Sequence, residues 1–217
     1  MRRRSLNILI TAGATREPID PVRFITNRAS GFLGRTIARL AKQRGHRVCL
    51  IVAPEARARI KGINCMPVET CAQMQKALDK KFSWCDCLVM SAAVSDFRPA
   101  NKFQRKIKRS ARRSPILRLK KNPDLLARIS RKKGKRLLVG FALESENLAK
   151  NARAKLRQKQ LDIIVATQIN TASYPFGPGK IKALIINARG RSRRLASIDK
   201  ADLGRILLDS IEKIMLS

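Results

Sequence analysis

The sequence predicts an α/β fold: a Rossmann-like three-layer sandwich with a mostly parallel central sheet and a small β-hairpin near the C-terminal part. Three observations lead there. Short runs of β-branched and other apolar residues alternate with stretches whose apolar residues recur at helical spacing. Several of these runs are apolar throughout, as in strands buried on both faces. The first run, Ile8-Leu9-Ile10, breaks into Thr11-Ala12-Gly13-Ala14-Thr15, and a second small-residue cluster, Asn27 to Gly31, precedes a helical pattern.

Element by element, residues 6–12 form the first strand. Residues 31–44 form a helix with Leu33, Ile37, Leu40 and Ala41 on one stripe, ended by Gly45. Residues 46–53 and 63–68 are strands, and 70–82 is a helix with Met74, Ala77 and Leu78 on one side. Residues 87–94 are a buried strand. The basic stretch 102–136 then holds a short extended piece at 116–119 and a helix over 122–130, where Pro123 suits a first turn. A strand at 137–143, a helix at 147–158 and a strand at 162–166 follow. Residues 182–187 and 195–198 pair as the hairpin, and Asp199 caps a last helix over 200–215. The chain shows no internal repeat and no low-complexity linker.

Bulk properties exclude several function classes. The chain has 217 residues, enough to bury a core, and its 44% hydrophobic content argues against disorder. No apolar run reaches the roughly 20 residues that span a bilayer. Met-Arg-Arg-Arg and the apolar run after it lack a clean cleavage site, so they are expected to open a cytoplasmic protein with no membrane association. The five cysteines fit neither a disulfide framework nor C-x-x-C zinc spacing, and are expected to be buried free thiols.

The net charge of +33 draws polyanions of any kind. It does not by itself make a nucleic-acid interface, because one Trp, one Tyr and seven Phe offer little stacking surface.

A strand, a small-residue turn and a helix start together build a phosphate cradle, where backbone N–H groups approach and the helix end favours negative charge. The cradle is not the dinucleotide fingerprint: G-x-G-x-x-G is missing, and Val52-Ala53-Pro54 stands where an acidic residue would end the second strand. A nicotinamide-dependent reductase is therefore disfavoured.

Taken with its neighbours, the stretch Thr11 to Gly34 closely resembles the opening of phosphopantothenate–cysteine ligases. The likeness continues in order through Ser91-Ala92-Ala93-Val94-Ser95-Asp96-Phe97-Arg98-Pro99, Lys106-Ile107-Lys108-Arg109 and Lys121 to Ala127. It runs on through Val139 to Glu144, Ala152-Arg153-x-Lys155-Leu156-x-x-Lys159 and Asp162 to Ala166. The resemblance implies one ligase domain over residues 1–217, acting in coenzyme A biosynthesis. It would join 4′-phosphopantothenate to L-cysteine through an acyl-cytidylate, with CTP as co-substrate, Mg²⁺ as cofactor, and CMP and pyrophosphate as products. ATP in place of CTP stays open. Such ligases are often fused to a flavin-dependent decarboxylase whose catalytic histidine has no counterpart here, because His46 sits in a helix-to-strand turn. A stand-alone, flavin-free homodimer is expected.

By the same resemblance, Asn27 and Arg23 hold the acyl-nucleotide and Lys106 stabilises the transferring phosphate. Ser91, Ala92, Asp96, Pro123, Asp124, Leu125, Leu126, Phe141, Lys155 and Lys159 contact the nucleotide, and Gly13, Ser30 and Gly31 belong to the phosphate cradle. No metal ligand is singled out. Each residue also has a plain structural reading: a turn or helix cap for Asn27, Asp96 and Asp124, core for Phe141, solvated charge for the lysines. Four departures from the family pattern stand out. Ala14 replaces Gly, Phe32-Leu33 replaces Lys-Met, Thr167-Gln168 replaces Asn-Asp, and Phe176-Gly177-Pro178-Gly179-Lys180 replaces an Asn/Asp-rich turn. The competing reading is a basic α/β protein that binds nucleic acid with reduced or no catalysis.

Overall fold

A computed structural model describes residues 4–57, 60–108, 116–169 and 175–216. The first third of the chain gives β1 (Asn7–Ala12), β2 (Arg16–Pro18), β3 (Phe24–Thr26), α1 (Phe32–Gln43), β4 (Arg47–Val52) and β5 (Asn64–Pro67). Next come α2 (Cys71–Lys81), β6 (Cys87–Met90), β7 (Phe97–Pro99), β8 (Leu119–Lys121) and α3 (Leu125–Ser130). The remainder is β9 (Leu137–Glu144), α4 (Leu148–Gln158), β10 (Ile163–Gln168), β11 (Lys180–Asn187), β12 (Ser192–Asp199) and α5 (Lys200–Met215).

Eight strands form one sheet in the order β12-β11-β10-β9-β6-β1-β4-β5. All neighbours from β10 to β5 are parallel, and β11 and β12 add an antiparallel edge. Alternate side chains of each parallel strand enter two separate cores. Ile8, Ile10, Leu50, Val89, Val139 and Val165 pack beneath α1 and α5, with Ile37, Ala38, Leu203 and Leu207. Leu9, Ile51, Leu88, Leu138 and Ile164 face α2, α3 and α4 through Met74, Leu78, Ile129 and Leu156. This is the three-layer sandwich expected from the alternating pattern.

Thr70 opens α2 with a capping box, accepting from the Gln73 N–H at 3.2 Å. Four expectations need correction. The hairpin of β11 and β12 is longer than predicted and is the edge of the central sheet. The buried strand β6 stops at Met90, because the backbone beyond it turns to bond the loop after β1. The helix predicted over 122–130 starts at Leu125: Asp124 takes the cap, accepting from Ala127 N–H, and Pro123 lies outside. The extended piece at 116–119 pairs only from Leu119, against β7. Asp199 does occupy the N-cap of α5, but its side chain makes no cap hydrogen bond.

Cys49, Cys71, Cys85 and Cys87 are buried free thiols as expected, and Cys65 is half-buried. Burial pushes the Cys71 thiol up to about 11 and the Cys85 thiol up to about 12. Among the described residues, no helix is long and apolar enough to cross a membrane.

Candidate active site

In a doubly wound sheet, ligands bind at the carboxyl ends of strands where chain order reverses. Here the reversal lies between β1 and β6, since β4 follows β1 on one side and β6 flanks it on the other. The loops leaving these two strands are stitched together. Ala93 N–H donates to the Gly13 carbonyl at 2.9 Å, Thr15 N–H to the Ala93 carbonyl at 3.2 Å, and Ser95 N–H to Thr15 Oγ1 at 2.9 Å. Ser91 Oγ donates to the Thr11 carbonyl at 2.6 Å, which commits its hydroxyl to the scaffold.

Glycine is needed where the two small-residue turns meet. Gly13 and Gly31 have φ of +89° and +70°, and a Cβ on Gly31 would lie 2.7 Å from the Gly13 nitrogen. The two turns raised by the sequence are one stacked structure, with Gly31 as N-cap of α1.

A cleft of about 640 Å³ opens beside this stack. Asn27 and Arg28 form one wall, residues 92–96 the floor, residues 122–126 and the α4 lysines 155 and 159 the opposite wall, and Phe141 the back. A second cavity of about 220 Å³ is continuous with it, sharing Ala92, Ala93, Phe141 and Phe176, and is lined by Ser30, Gly31, Phe32, Ser91 and Lys200.

Inside the cleft, the Asn27 amide donates weakly to the Ala93 carbonyl at 3.4 Å and is exposed. Asn122 ties the floor to the opposite wall: its N–H donates to the Asp96 carbonyl and its amide to the Ser95 carbonyl, both at 2.8 Å. The Asp96 carboxylate is exposed and makes no ion pair or hydrogen bond among the described residues. Lys155 pairs with Glu144 at 2.6 Å and Lys159 with Asp124 at 2.8 Å. Partial burial opposes ionisation of Asp124, but the Ala127 N–H and the Lys159 ammonium outweigh it and hold the carboxyl below its usual range.

Thirteen of the sequence-predicted residues therefore line the two cavities. Asn27, Ala92, Asp96, Pro123, Asp124, Leu125, Leu126, Phe141, Lys155 and Lys159 line the cleft, and Ser30, Gly31 and Ser91 the smaller cavity. Gly13 packs below them. Arg23 and Lys106 line neither cavity. The Arg23 guanidinium is held by Asp20 at 2.6 Å and donates to the Ile107 carbonyl at 2.8 Å, while Ile107 N–H donates back to Asp20 at 3.2 Å. Asp20 is 2% exposed and also accepts from the N–H groups of Val22 and Arg23, contacts that together depress its pKa against the opposing effect of burial. Arg23 and Asp20 thus clamp the chain one residue after Lys106, which is itself exposed. Arg109, the end of that basic motif, lies outside the described residues.

Sequence reasoning missed Arg28, Asn122 and Lys200 on the cavity walls, and Asp20 beneath the clamp. Asp20 was legible as an Asx turn, Asp-Pro-x-Arg, with the charge partner three residues on.

Comparison with known proteins identifies the family. Residues 4–215 match the family model described as DNA/pantothenate metabolism flavoprotein C-terminal domain. The chain belongs to that family. It is similar to the coenzyme A biosynthesis bifunctional protein CoaBC of Bacillus subtilis, 37% identical over 206 residues, covering 94% of this chain and 50% of that one. The chain spans about half the length of the curated relatives it matches. The crystal structure of a CoaBC C-terminal domain superposes with a TM-score of 0.82 at 31% identity, covering 98% of this chain and 97% of that one. A Cab2 mutant in complex with phosphopantothenate-cysteine has the same fold, with a TM-score of 0.74 at 17% identity over 97% of this chain and 87% of that one. The family resemblance carried by the sequence motifs is borne out along the matched span.

Proposed function

We propose that this chain acts as one ligase domain, residues 1–217, joining 4′-phosphopantothenate to L-cysteine at the expense of CTP, in the cytoplasm and as a homodimer. The observation that carries the reading is the convergence of Asn27, Asp96, Phe141, Lys155 and Lys159 on one cleft at the switch point of a chain belonging to this family.

The residues suit the chemistry. A carboxylate of phosphopantothenate attacks the α-phosphorus of CTP, pyrophosphate leaves, and the amine of cysteine then displaces CMP from the acyl-cytidylate. No protein nucleophile is needed; positioning and cations are. Phe141, at the back wall, offers a face for the pyrimidine. Lys155 and Lys159 each spend one N–H on a carboxylate and keep two for phosphate oxygens. Asn27 faces the acyl group, and Lys106, steadied by the Asp20–Arg23 clamp, meets the transferring phosphoryl group. The donor set fits Mg²⁺, which takes one carboxylate and completes its shell with substrate phosphates and water; Asp96 would hold it. Bound there, Mg²⁺ supplies neutralisation of phosphate charge.

Pyrophosphate release by purified protein with Mg²⁺, 4′-phosphopantothenate and cysteine tests the reading. Release that requires the acid and prefers CTP to ATP is expected. Silence with both nucleotides from folded protein would sink it, and salt-sensitive RNA binding that survives Asn27→Ala would favour the nucleic-acid reading instead. Sedimentation checks the dimer.

A further inference from the structure

A cavity of about 470 Å³ opens at the other end of the sheet, where β10 starts, β11 ends and β12 starts, beside the second half of α5. Its size is that of a small-molecule site. It exists because α5 packs chiefly on α1 and covers the outer strands less closely. Buried Ile163 and Ile185 line it from the sheet. Ile206 and Ile214 line it from α5, on a stripe with Ser210 between them. Ile214 is 45% exposed, so apolar surface there meets water.

The rim of this apolar hollow is cationic. Arg189 and Arg191 stand at the hairpin tip, which is fixed by Asn187 N–H donating to the Arg191 carbonyl and Arg191 N–H donating to Asn187 Oδ1, both at 3.0 Å. Arg193 pairs in register with Ile185, so its side chain leaves β12 on the face that α5 covers; Arg194, opposite Leu184, leaves on the other face. A guanidinium thus stands on the apolar face of the sheet. None of these three arginines has a carboxylate partner among the described residues, and Lys213 adds a fourth cation to the lining. The lining carboxylate, Asp162, is engaged elsewhere: it pairs with Lys133 at 2.8 Å and accepts from Leu138 N–H at 2.7 Å.

Exposed cations occur over the whole surface and discriminate little by themselves. Here they border isoleucine side chains, and the pairing calls for a ligand with an anionic head and an aliphatic body. Guanidinium forks pair with phosphate oxygens in two-point fashion. Each methylene that leaves water for the hollow improves affinity about fourfold. A nucleic-acid backbone would meet the cations but leave the isoleucines wet, so a small amphiphile fits better.

We infer that this hollow is a binding site for an aliphatic phosphate monoester, its head on Arg191 and Arg193 and its chain against Ile185, Ile206 and Ile214. The inference does not depend on the ligase reading. The site is remote from the catalytic cleft. The 16 residues of α5 extend about 24 Å. At the start of that helix, Lys200 lines the smaller cavity and donates to the carbonyls of Pro175 and Gly177, whereas Ile214, near its end, lines this one.

Isothermal titration of the full chain tests the site with butyl, hexyl and octyl phosphate at monomeric concentrations. Inorganic phosphate serves as the head alone and uncharged octyl glucoside as the tail alone. Affinity should rise severalfold per methylene along the series, and neither half-probe should match octyl phosphate. Arg193→Gln should weaken octyl phosphate about tenfold, and Ile214→Ser should flatten the chain-length series. Both side chains are exposed, so neither substitution threatens the fold. Arg194→Gln makes the same change of charge on the opposite face and should leave affinity unchanged, as should saturating CTP. Equal affinity for all three chain lengths, or a loss in Arg194→Gln equal to that in Arg193→Gln, overturns the inference and leaves only the general cationic field. Displacement of octyl phosphate by CTP overturns it by placing the probe in the cleft. An RNA oligonucleotide that binds through Arg193 where octyl phosphate does not would assign this face to polyanions instead.

Discussion

Replacing Gly31 with alanine tests whether the contact between the two small-residue turns is what demands glycine. The backbone at Gly31 has φ of +70°, and a left-handed conformation costs an alanine about 1–2 kcal/mol. An added Cβ would also stand 2.4 Å from Ala56 Cβ, 2.7 Å from the Gly13 nitrogen and 2.9 Å from its Cα. Backbone atoms cannot rotate away, so overpacking adds about 1–3 kcal/mol. Gly45 is the control: its φ is +87° and an added Cβ meets nothing within 4 Å. Urea unfolding followed by circular dichroism should therefore show Gly45→Ala losing about 1–2 kcal/mol and Gly31→Ala about 2–5 kcal/mol, with unchanged m-values. The KM for phosphopantothenate should rise in Gly31→Ala alone, because the strain falls where α1 begins. Equal destabilisation by the two substitutions would refute the stacking explanation and leave backbone conformation as the whole cause.

Other residues give sharper chemical tests. Asp20→Ala releases Arg23 and Ile107 together, so kcat should fall while the KM for CTP holds; wild-type kcat would show that Lys106 does not depend on the clamp. Lys159 is 27% exposed, and Lys159→Met should raise the KM for CTP about tenfold with little change in the KM for cysteine. The folded-state pKa of Asp124 lies below the unfolded value of 3.8, so its contribution to stability is present above 3.8 and is lost as pH falls through the folded value. Wild type should accordingly exceed Asp124→Asn in stability at neutral pH, and urea midpoints should converge in strong acid; a gap that widens there contradicts the Lys159 pairing. Iodoacetamide at mild alkaline pH should label Cys65 and spare Cys85 and Cys87, whose thiols burial keeps protonated. Peptide mass spectrometry showing native Cys87 alkylated would contradict its place in the sheet.

The central sheet was legible because β1, β4, β6, β9 and β10 are buried on both faces and so read as unbroken apolar runs. The helices α1, α2 and α5 announced themselves by their stripes. The three-residue strands β2, β3 and β7 escaped notice and β8 was placed a few residues early, at 116–119, since each is too short for a period and exists only through its partner. Asn122-Pro123-Asp124 carried two competing start signals for α3. Proline favours a first helical position, but a carboxylate that accepts from Ala127 N–H contributes a hydrogen bond, and the cap prevailed. At the site, ordered motifs located the cleft residues, yet Arg23 turned toward Asp20, a pairing that depends on where residue 107 returns in space. Lys200 was illegible for a different reason. A lysine opening an amphipathic helix looks like solvated charge, and only the packing of residues 175–177 over it removes the water.

That distinction between buried and surface charge bears on the net +33. Many of the acidic side chains are already committed: Asp20, Asp124, Glu144, Asp162 and Glu212 each sit in an ion pair. The unpaired excess is therefore carried by exposed Lys and Arg, including Arg193 and Arg194 on the outer edge strand β12, where cations discourage pairing with another strand. At physiological ionic strength, exposed charges act over only about 8 Å, so they raise encounter rates with anionic substrates without telling one phosphate from another. A buried ammonium facing a cavity is screened far less and is fixed in place.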